Sequence, residues 1–513
     1  MLRRLSFAII LTALGGTLLA QGDAETITKI LDEGKTRNKA RVHLETITGQ
    51  IGARLTSSMA LEEGQKWAVE QFKSFGCTNV HMEKWGEFPV GFDRAKTGHV
   101  GQMTAPFMRD LQFTTPSWTP GTKGLQKGGV IMEPATVEEV TKHAGDYRGK
   151  WMILQATAPT PRPGGGGAAG GVGAGAAGAA GGAGRPGGGG GGGGGRAPLT
   201  PEQQTALELR NAIRAAAFKA GIKGTVAGSR NELVQTGGQY KIEWDKLPTE
   251  TRITVRKSDY DAITAAVADN KKVELQFDIK QSFRKGPIAI HNVIAEIPGT
   301  EKPEEVVIVS GHFDSWDGPG SQGALDNGNG SAVTMEAARI LMASGAKPKR
   351  TIRFILWSGE EQGLFGSVGY VKSHSAEMDK ISCVLVDDGG TNYWGGFVGL
   401  ETQKPMFQSS MDSLVATFPD MPMVFRSQAT MPRGGGSDHA SFNAVGVPGF
   451  FTIETGVSDY NYVHHTQHDR LEAAINAYMV QSSTAAAVTS FNIACAVGMM
   501  PRGPKPTTTP PAK

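Results

Sequence analysis

The chain has 513 residues, 39% of them hydrophobic and 20% charged, which excludes a wholly disordered or fibrous protein and allows two or three domains. Lys+Arg number 52 against 49 Asp+Glu, a net charge of +3, so nothing in the charge balance points to a nucleic-acid partner. Glycine is the outlier at 70 residues, and much of the excess sits in one segment.

In chain order, Arg3 and Arg4 precede an apolar run from Phe7 to Leu19 that ends at Ala20, the layout of a cleaved secretory signal over residues 1–20. The run is short for a membrane span, so the expectation is an exported protein, periplasmic or extracellular, with no stable membrane anchor after cleavage. Residues 24–75 read as helices: Ala60, Leu61, Trp67, Ala68, Phe72 and Phe75 recur at helical spacing, and Gly76 ends the run. From about 85 to 160 the pattern turns to short apolar runs, with strands expected at GGVIMEP and GKWMILQATAP.

Residues 163–196 are almost pure Gly and Ala, which cannot bury a core and predicts a surface loop. Within it GAGAAG (173–178) is a formal GxGxxG match, but with no strand before it and no helix after it the match carries no nucleotide-binding expectation. Residues 203–220 predict a helix, and 223–284 predict strands with one helix from Ser258 to Asp269. Beyond 290, apolar strands at 306–311, 352–357, 384–388 and 449–454 alternate with helical stretches near 328–344, 364–374 and 470–497. That rhythm predicts an α/β class with a mostly parallel sheet flanked by helices. The expected division is a catalytic α/β domain built from 24–109 and 286–500, interrupted by a β-rich module at 110–285, with a disordered Pro-rich tail over 501–513.

Cys77, Cys383 and Cys495 are far apart and form no CxxC, which argues against a cysteine metal site; three buried free thiols are expected, with a single bridge as the alternative. Each late strand instead runs out into acids or histidines: His312-Phe313-Asp314 after the first, Glu360-Glu361 after the second, Asp387-Asp388 at the third, and His464-His465-Thr466-Gln467-His468-Asp469 after the fourth. A further acid, Asp326, precedes Asn327-Gly328 at the start of a helix. In open α/β sheets ligands bind outside the carboxyl ends of the strands. Carboxylates crowded there repel one another unless a cation neutralises them. Imidazoles with carboxylates suit zinc, and a shared carboxylate makes a two-metal site. Neither HExxH nor GxSxG occurs.

The order H-x-D, GALDNG, WSGEEQG, DDGG and HHTxHD resembles the co-catalytic di-zinc exopeptidases, and within them the carboxypeptidase Q group; GARLTSS (52–58) and GVPG (446–449) extend the likeness over about 40–497. The resemblance implies two Zn2+ ions, with His312 and Asp388 on one, Glu361 and His465 on the other, and Asp326 bridging. It implies Glu360 as the general base toward metal-activated water, Asp314 as the residue that orients His312, and a cis peptide after Asp326. It identifies the module as a protease-associated domain that roofs the cleft and aids a homodimer, and it implies small peptides as substrates. Alternatives remain at each doublet: Asp387 for Asp388, His464 or His468 for His465, and the two glutamates with roles exchanged. Asp469 reads as the N-cap of the last helix, His439 as structural, and Asp438 as a pocket-lining alternative. Whether the chain trims carboxy termini, amino termini or dipeptides stays open. A glutaminyl cyclase-like transferase and an inactive binding homologue are the competing functions.

Removing residues 164–195 should leave soluble yield and peptide hydrolysis close to those of the full chain, because a glycine tract contributes little burial and loop closure depends weakly on length. Loss of soluble expression on that deletion would contradict the reading.

Overall fold

The computed structural model describes residues 22–155, 200–318, 320–390 and 392–504. The expected signal segment, the Gly-rich stretch 163–196 with its GxGxxG match, and the tail from 505 lie outside the described residues.

Two eight-stranded sheets organise the described residues. With strands numbered in chain order, the first sheet takes β1 (Thr78–Arg94), β10 (Gln281–Ile297), β11 (Lys302–His312), β12 (Arg350–Trp357), β13 (Ile381–Val386), β14 (Tyr393–Leu400), β15 (Val424–Gln428) and β16 (Gly449–Thr455). The second takes β2 (Val100–Ala105), β3 (Arg109–Asp110), β4 (Phe113–Thr114), β5 (Gln126–Met132), β6 (Trp151–Ile153), β7 (Gly224–Gly228), β8 (Arg252–Val255) and β9 (Glu274–Asp278).

The order of the first sheet is β1-β10-β12-β11-β13-β16-β14-β15. Its centre, β12-β11-β13-β16, is parallel throughout, so four carboxyl ends lie along one edge. The apolar runs that form these strands are buried on both faces, and alternate residues divide between two clusters. Val307, Val309, Ile352, Phe354, Cys383 and Leu385 join one. Val306, Ile308, Ile355, Trp357, Val384 and Val386 join the other. The first face is covered by helices at Ala24–Thr36, Met59–Phe75, Asn329–Ala343, Lys404–Thr417 and Asn476–Cys495; the second by those at Phe365–Ser373 and His439–Ala444. The last helix is buried on all sides because Ala, Ser and Thr dominate it and let its neighbours approach closely. Cys77, Cys383 and Cys495 are buried and free, as expected, and burial pushes the Cys77 thiol up to about 12.

The α/β class and the doubly covered parallel centre are as read from the sequence. The domain boundary is not. β2 and β3 lie before residue 110, yet they pair within the second sheet, β2 against β9 and β3 against β2. β10 begins at Gln281 and pairs with β1 as far as Arg94. Sheet pairing therefore places the inserted unit at about 95–280 instead of 110–285. β2 lies between β3 and β9, and these short strands carry no pattern that names their partner in advance. The last helix also starts at Asn476, six residues later than 470, because a separate 3-10 turn at Leu471–Ala473 precedes it.

One side chain braces the loops at the parallel edge. Arg54, fully buried, donates to the carbonyls of Gly52 (2.9 Å), Gly323 (2.7 Å), Gln322 (3.3 Å) and Phe313. Burial lowers its pKa to about 10, with Asp469 and Asp314 opposing the fall. Replacing it by Met should leave those carbonyls unpaired and cost about 3–5 kcal/mol of unfolding free energy, measurable by denaturant titration. A loss below about 1 kcal/mol would show that the brace is dispensable.

Candidate metal centre

His312 is the last residue of β11, and its ring is set by its surroundings. Its Nδ1–H donates to the backbone carbonyl of Asp314 at 2.9 Å, which leaves Nε2 facing the acids. Nε2 lies 2.9 Å from Asp388 Oδ1 and 3.4 Å from Asp326 Oδ1. The carboxylate of Asp314 is 3.7 Å from Nδ1 and accepts instead from Thr56 Oγ1 at 2.8 Å and from the backbone N–H groups of Glu360 (3.3 Å) and Glu361 (3.4 Å). Asp314 thus joins His312 to the glutamate turn.

That turn follows β12. Gly359 takes φ +74°, and a Cβ there would stand 2.7 Å from Trp85, so the turn needs glycine. It sends the two glutamates different ways. Glu361 Oε2 lies 3.0 Å from His465 Nε2, while its Oε1 accepts from the N–H of Trp316 at 3.1 Å. Glu360 Oε2 lies 3.9 Å from His312 Nε2, and its Oε1 is buried without a hydrogen-bond partner.

Asp326 stands between the two groups. Its Oδ1 faces His312, and its Oδ2 faces His465 Nε2 at 3.2 Å. The peptide to Asn327 is cis, as the resemblance implies. Asn327 anchors the loop, donating from Nδ2 to Asp387 O (2.7 Å) and accepting at Oδ1 from the N–H of Gly330 (2.9 Å).

The doublets separate geometrically. Asp387 turns away from the cluster and accepts from Trp394 Nε1 at 2.8 Å, and burial pushes its carboxyl up to about 7. Asp388 stays at the cluster. His465 contacts both Asp326 and Glu361, whereas His464 reaches only Asp326 Oδ2, at 3.9 Å, and His468 stacks on Tyr462. Asp469 is no N-cap. It is buried and accepts from the N–H groups of Leu325 (2.6 Å) and Asp326 (3.4 Å), shaping the Asp326 loop; burial raises its pKa to about 8. The spacing of Asp469 from the last apolar run resembles a cap, and the long-range acceptor role has no local signature. Asp438 is fully buried with neither oxygen hydrogen-bonded, and His439 is held neutral, its pKa brought down to about 4 by burial. Arg54 and Thr56 were not foreseen as supports of the site. Their only sequence signal is the GARLTSS match.

The donor set fits divalent cations. His312, Asp326 and Asp388 bring ligand atoms within 4.8 Å of one another, as do Asp326, His464 and His465. Asp326 Oδ2 and Glu360 Oε1 are buried with no hydrogen-bond partner, positions that a metal ion and a bound water would satisfy. Nitrogen and oxygen donors without thiolate are compatible with zinc.

Among the protein groups alone, protons carry the imbalance. Burial works against charge on His312, but Asp388 and Glu360 outweigh it and raise the imidazole well above its ordinary value. His465 is raised in the same way by Glu361 and Asp326. Burial and Asp326 bring Glu361 up to about 7. Asp326 goes the other way: burial would raise it, yet the two imidazoles hold it well below the carboxylate range.

Residues 292–490, the stretch that contains every residue of the cluster, match the family model described as Peptidase family M28. Carboxypeptidase Q of Rattus norvegicus is 26% identical over 490 residues, covering 93% of this chain and 90% of its own length. The Homo sapiens protein of that name is 26% identical over 486 residues with the same coverage. The Xenopus laevis one reaches 34% over 272 residues, 52% of this chain and 54% of its own. Among solved structures, a Peptidase M28 precursor from Shewanella amazonensis SB2B superposes with a TM-score of 0.60 at 21% identity, over 94% of this chain and 99% of that one, which shows a shared fold. The resemblance read from the motifs and the fold class are borne out.

Raised ligands must lose protons when a cation binds, so zinc uptake at pH 7 should release protons and affinity should rise with pH. Calorimetric titration in two buffers of different ionisation enthalpy measures the release. Binding without proton release would contradict these protonation states.

Proposed function

Taking as premise that the chain is a metallopeptidase, we propose that it is an exported di-zinc exopeptidase acting on short peptides. In this reading His312 and Asp388 would hold one Zn2+, Glu361 and His465 would hold the other, and Asp326 would be shared between them. The observation that carries it is the division of Asp326: each of its oxygens faces a different imidazole, at 3.4 and 3.2 Å, and each imidazole has its own second carboxylate. When bound, the ions supply Lewis-acid polarisation of the scissile carbonyl and bring the pKa of water toward neutrality.

The chain's own groups supply the rest. Glu360 accepts the proton of the attacking water at Oε1, which no protein group engages, and returns it to the leaving amine. Among the protein groups alone, burial first and then Asp388, Glu361 and Asp438, against the opposing His312, raise its carboxyl well above the ordinary value. Asp314 keeps the glutamate turn and the His312 ring in register through both its backbone carbonyl and its carboxylate.

The name of the relatives, carboxypeptidase Q, supports carboxypeptidase action. Hydrolysis of dipeptides and of N- or C-blocked peptides, with and without chelator, distinguishes this from dipeptidase and aminopeptidase action. Export is the reading of residues 1–20, and no helix among the described residues is long and apolar enough to cross a membrane. A homodimer assisted by the inserted unit is part of the same proposal, and sedimentation velocity tests it.

Glu360→Gln should keep both ions by elemental mass spectrometry yet lose about 10²–10⁴-fold in kcat, since proton transfer goes while the ligands remain. Turnover at the level of the unmodified enzyme would reject Glu360 as the base.

A further inference from the structure

The two halves of the centre differ in what holds them. Every contact named for His312 and Asp388 comes from the catalytic unit. The loop of His465 has an additional support from residues 232–240 of the inserted unit, a strap that follows β7. Thr236 donates its N–H to the carbonyl of His465 at 2.7 Å, and Gln235 forms an isolated antiparallel bridge with Thr466. Gln467, buried, closes the tie in both directions: Oε1 accepts from the N–H of Val234 at 2.7 Å, and Nε2 donates to the carbonyl of Glu232 at 2.9 Å. The far end of the strap is fixed as well. Ser117 donates its N–H to Gly237 O at 2.8 Å, and Tyr240 stacks on Phe88 with centroids 5.3 Å apart.

The supported residue is one that needs support. His465 has φ +56°, in the left-handed region. For a non-glycine residue that conformation is disfavoured because Cβ crowds the following carbonyl oxygen, and such residues persist where their surroundings fix them. The step has a geometric result. Successive side chains of an extended chain point to opposite sides, whereas here the rings of His464 and His465 lie face to face, centroids 3.8 Å apart and 25° between planes. His465 Nε2 thereby reaches both Asp326 and Glu361.

We propose that the strap, anchored by Gln467, holds His465 in its ligating conformation, so that the inserted unit completes one of the two metal sites while the other is independent of it. Gln467 is then a positioning residue. The inference rests on the two-ion reading above, and the experiment separates the two.

Zinc stoichiometry and affinity are measured on the full chain by chelator competition and elemental mass spectrometry, with circular dichroism to verify folding. Gln467→Met keeps the volume and removes both hydrogen bonds. It should weaken one ion by about 10–100-fold, the usual range for lost support of a ligand, and leave the other at its original affinity. Gln467→Glu keeps the acceptor for Val234 and should fall between; it decides the matter if the Met variant does not fold. With Co2+ in place of zinc, the visible absorption of one ion should change and that of the other persist. Two ions at unaltered affinity in a folded variant, or two weakened equally, would overturn the proposal. Fewer than two ions on the unmodified chain would overturn the two-ion reading instead.

Discussion

The structure depends on a charge constraint at one edge of a parallel sheet. Asp314, Asp326, Glu360, Asp387, Asp388, Asp438 and Asp469 are all buried around the same strand ends, with Arg54, His312 and His465 as the neighbouring basic groups. Carboxylates removed from water at such density cannot all ionise without compensation. The fold distributes the problem. Asp314 and Asp469 are held by backbone N–H groups, Asp387 is turned to an indole, and Asp326, Glu361 and Asp388 converge on the two imidazoles. Glu360 Oε1 remains without a protein partner, and Asp326 Oδ2 has only the His465 imidazole beside it.

Much of this was legible in the sequence, because the chemistry is written at strand ends. Short apolar runs alternating with helical stretches pointed to the central strands, and the acids and histidines that follow them pointed to the edge. The structure brings His312, Asp326, Glu360, Glu361, Asp388 and His465 together at that edge. The doublets needed coordinates. Whether Asp387 or Asp388 faces the site depends on where Trp394 stands, and no local pattern encodes that contact.

The misread features share a cause. Asp469 has the spacing of a helix cap, but its partners are the N–H groups of Leu325 and Asp326, more than 140 residues away in the chain. β2 and β3 precede residue 110 in the chain, and only the pairing of β3 with β2 and of β2 with β9 places them in the second sheet. Arg54 is similar: its acceptors are backbone carbonyls from three loops, invisible to any reading by residue type. Local propensity and periodicity fix elements, whereas long-range polar contacts fix how the loops between them are held, and the metal centre is built from those loops.

The central claim is that Asp326 is shared between two ions. An anomalous difference map from crystals grown with zinc tests it most directly. The account predicts two peaks, one beside His312 and Asp388 and one beside Glu361 and His465, with an oxygen of Asp326 directed at each. A single peak, or peaks away from Asp326, would contradict it.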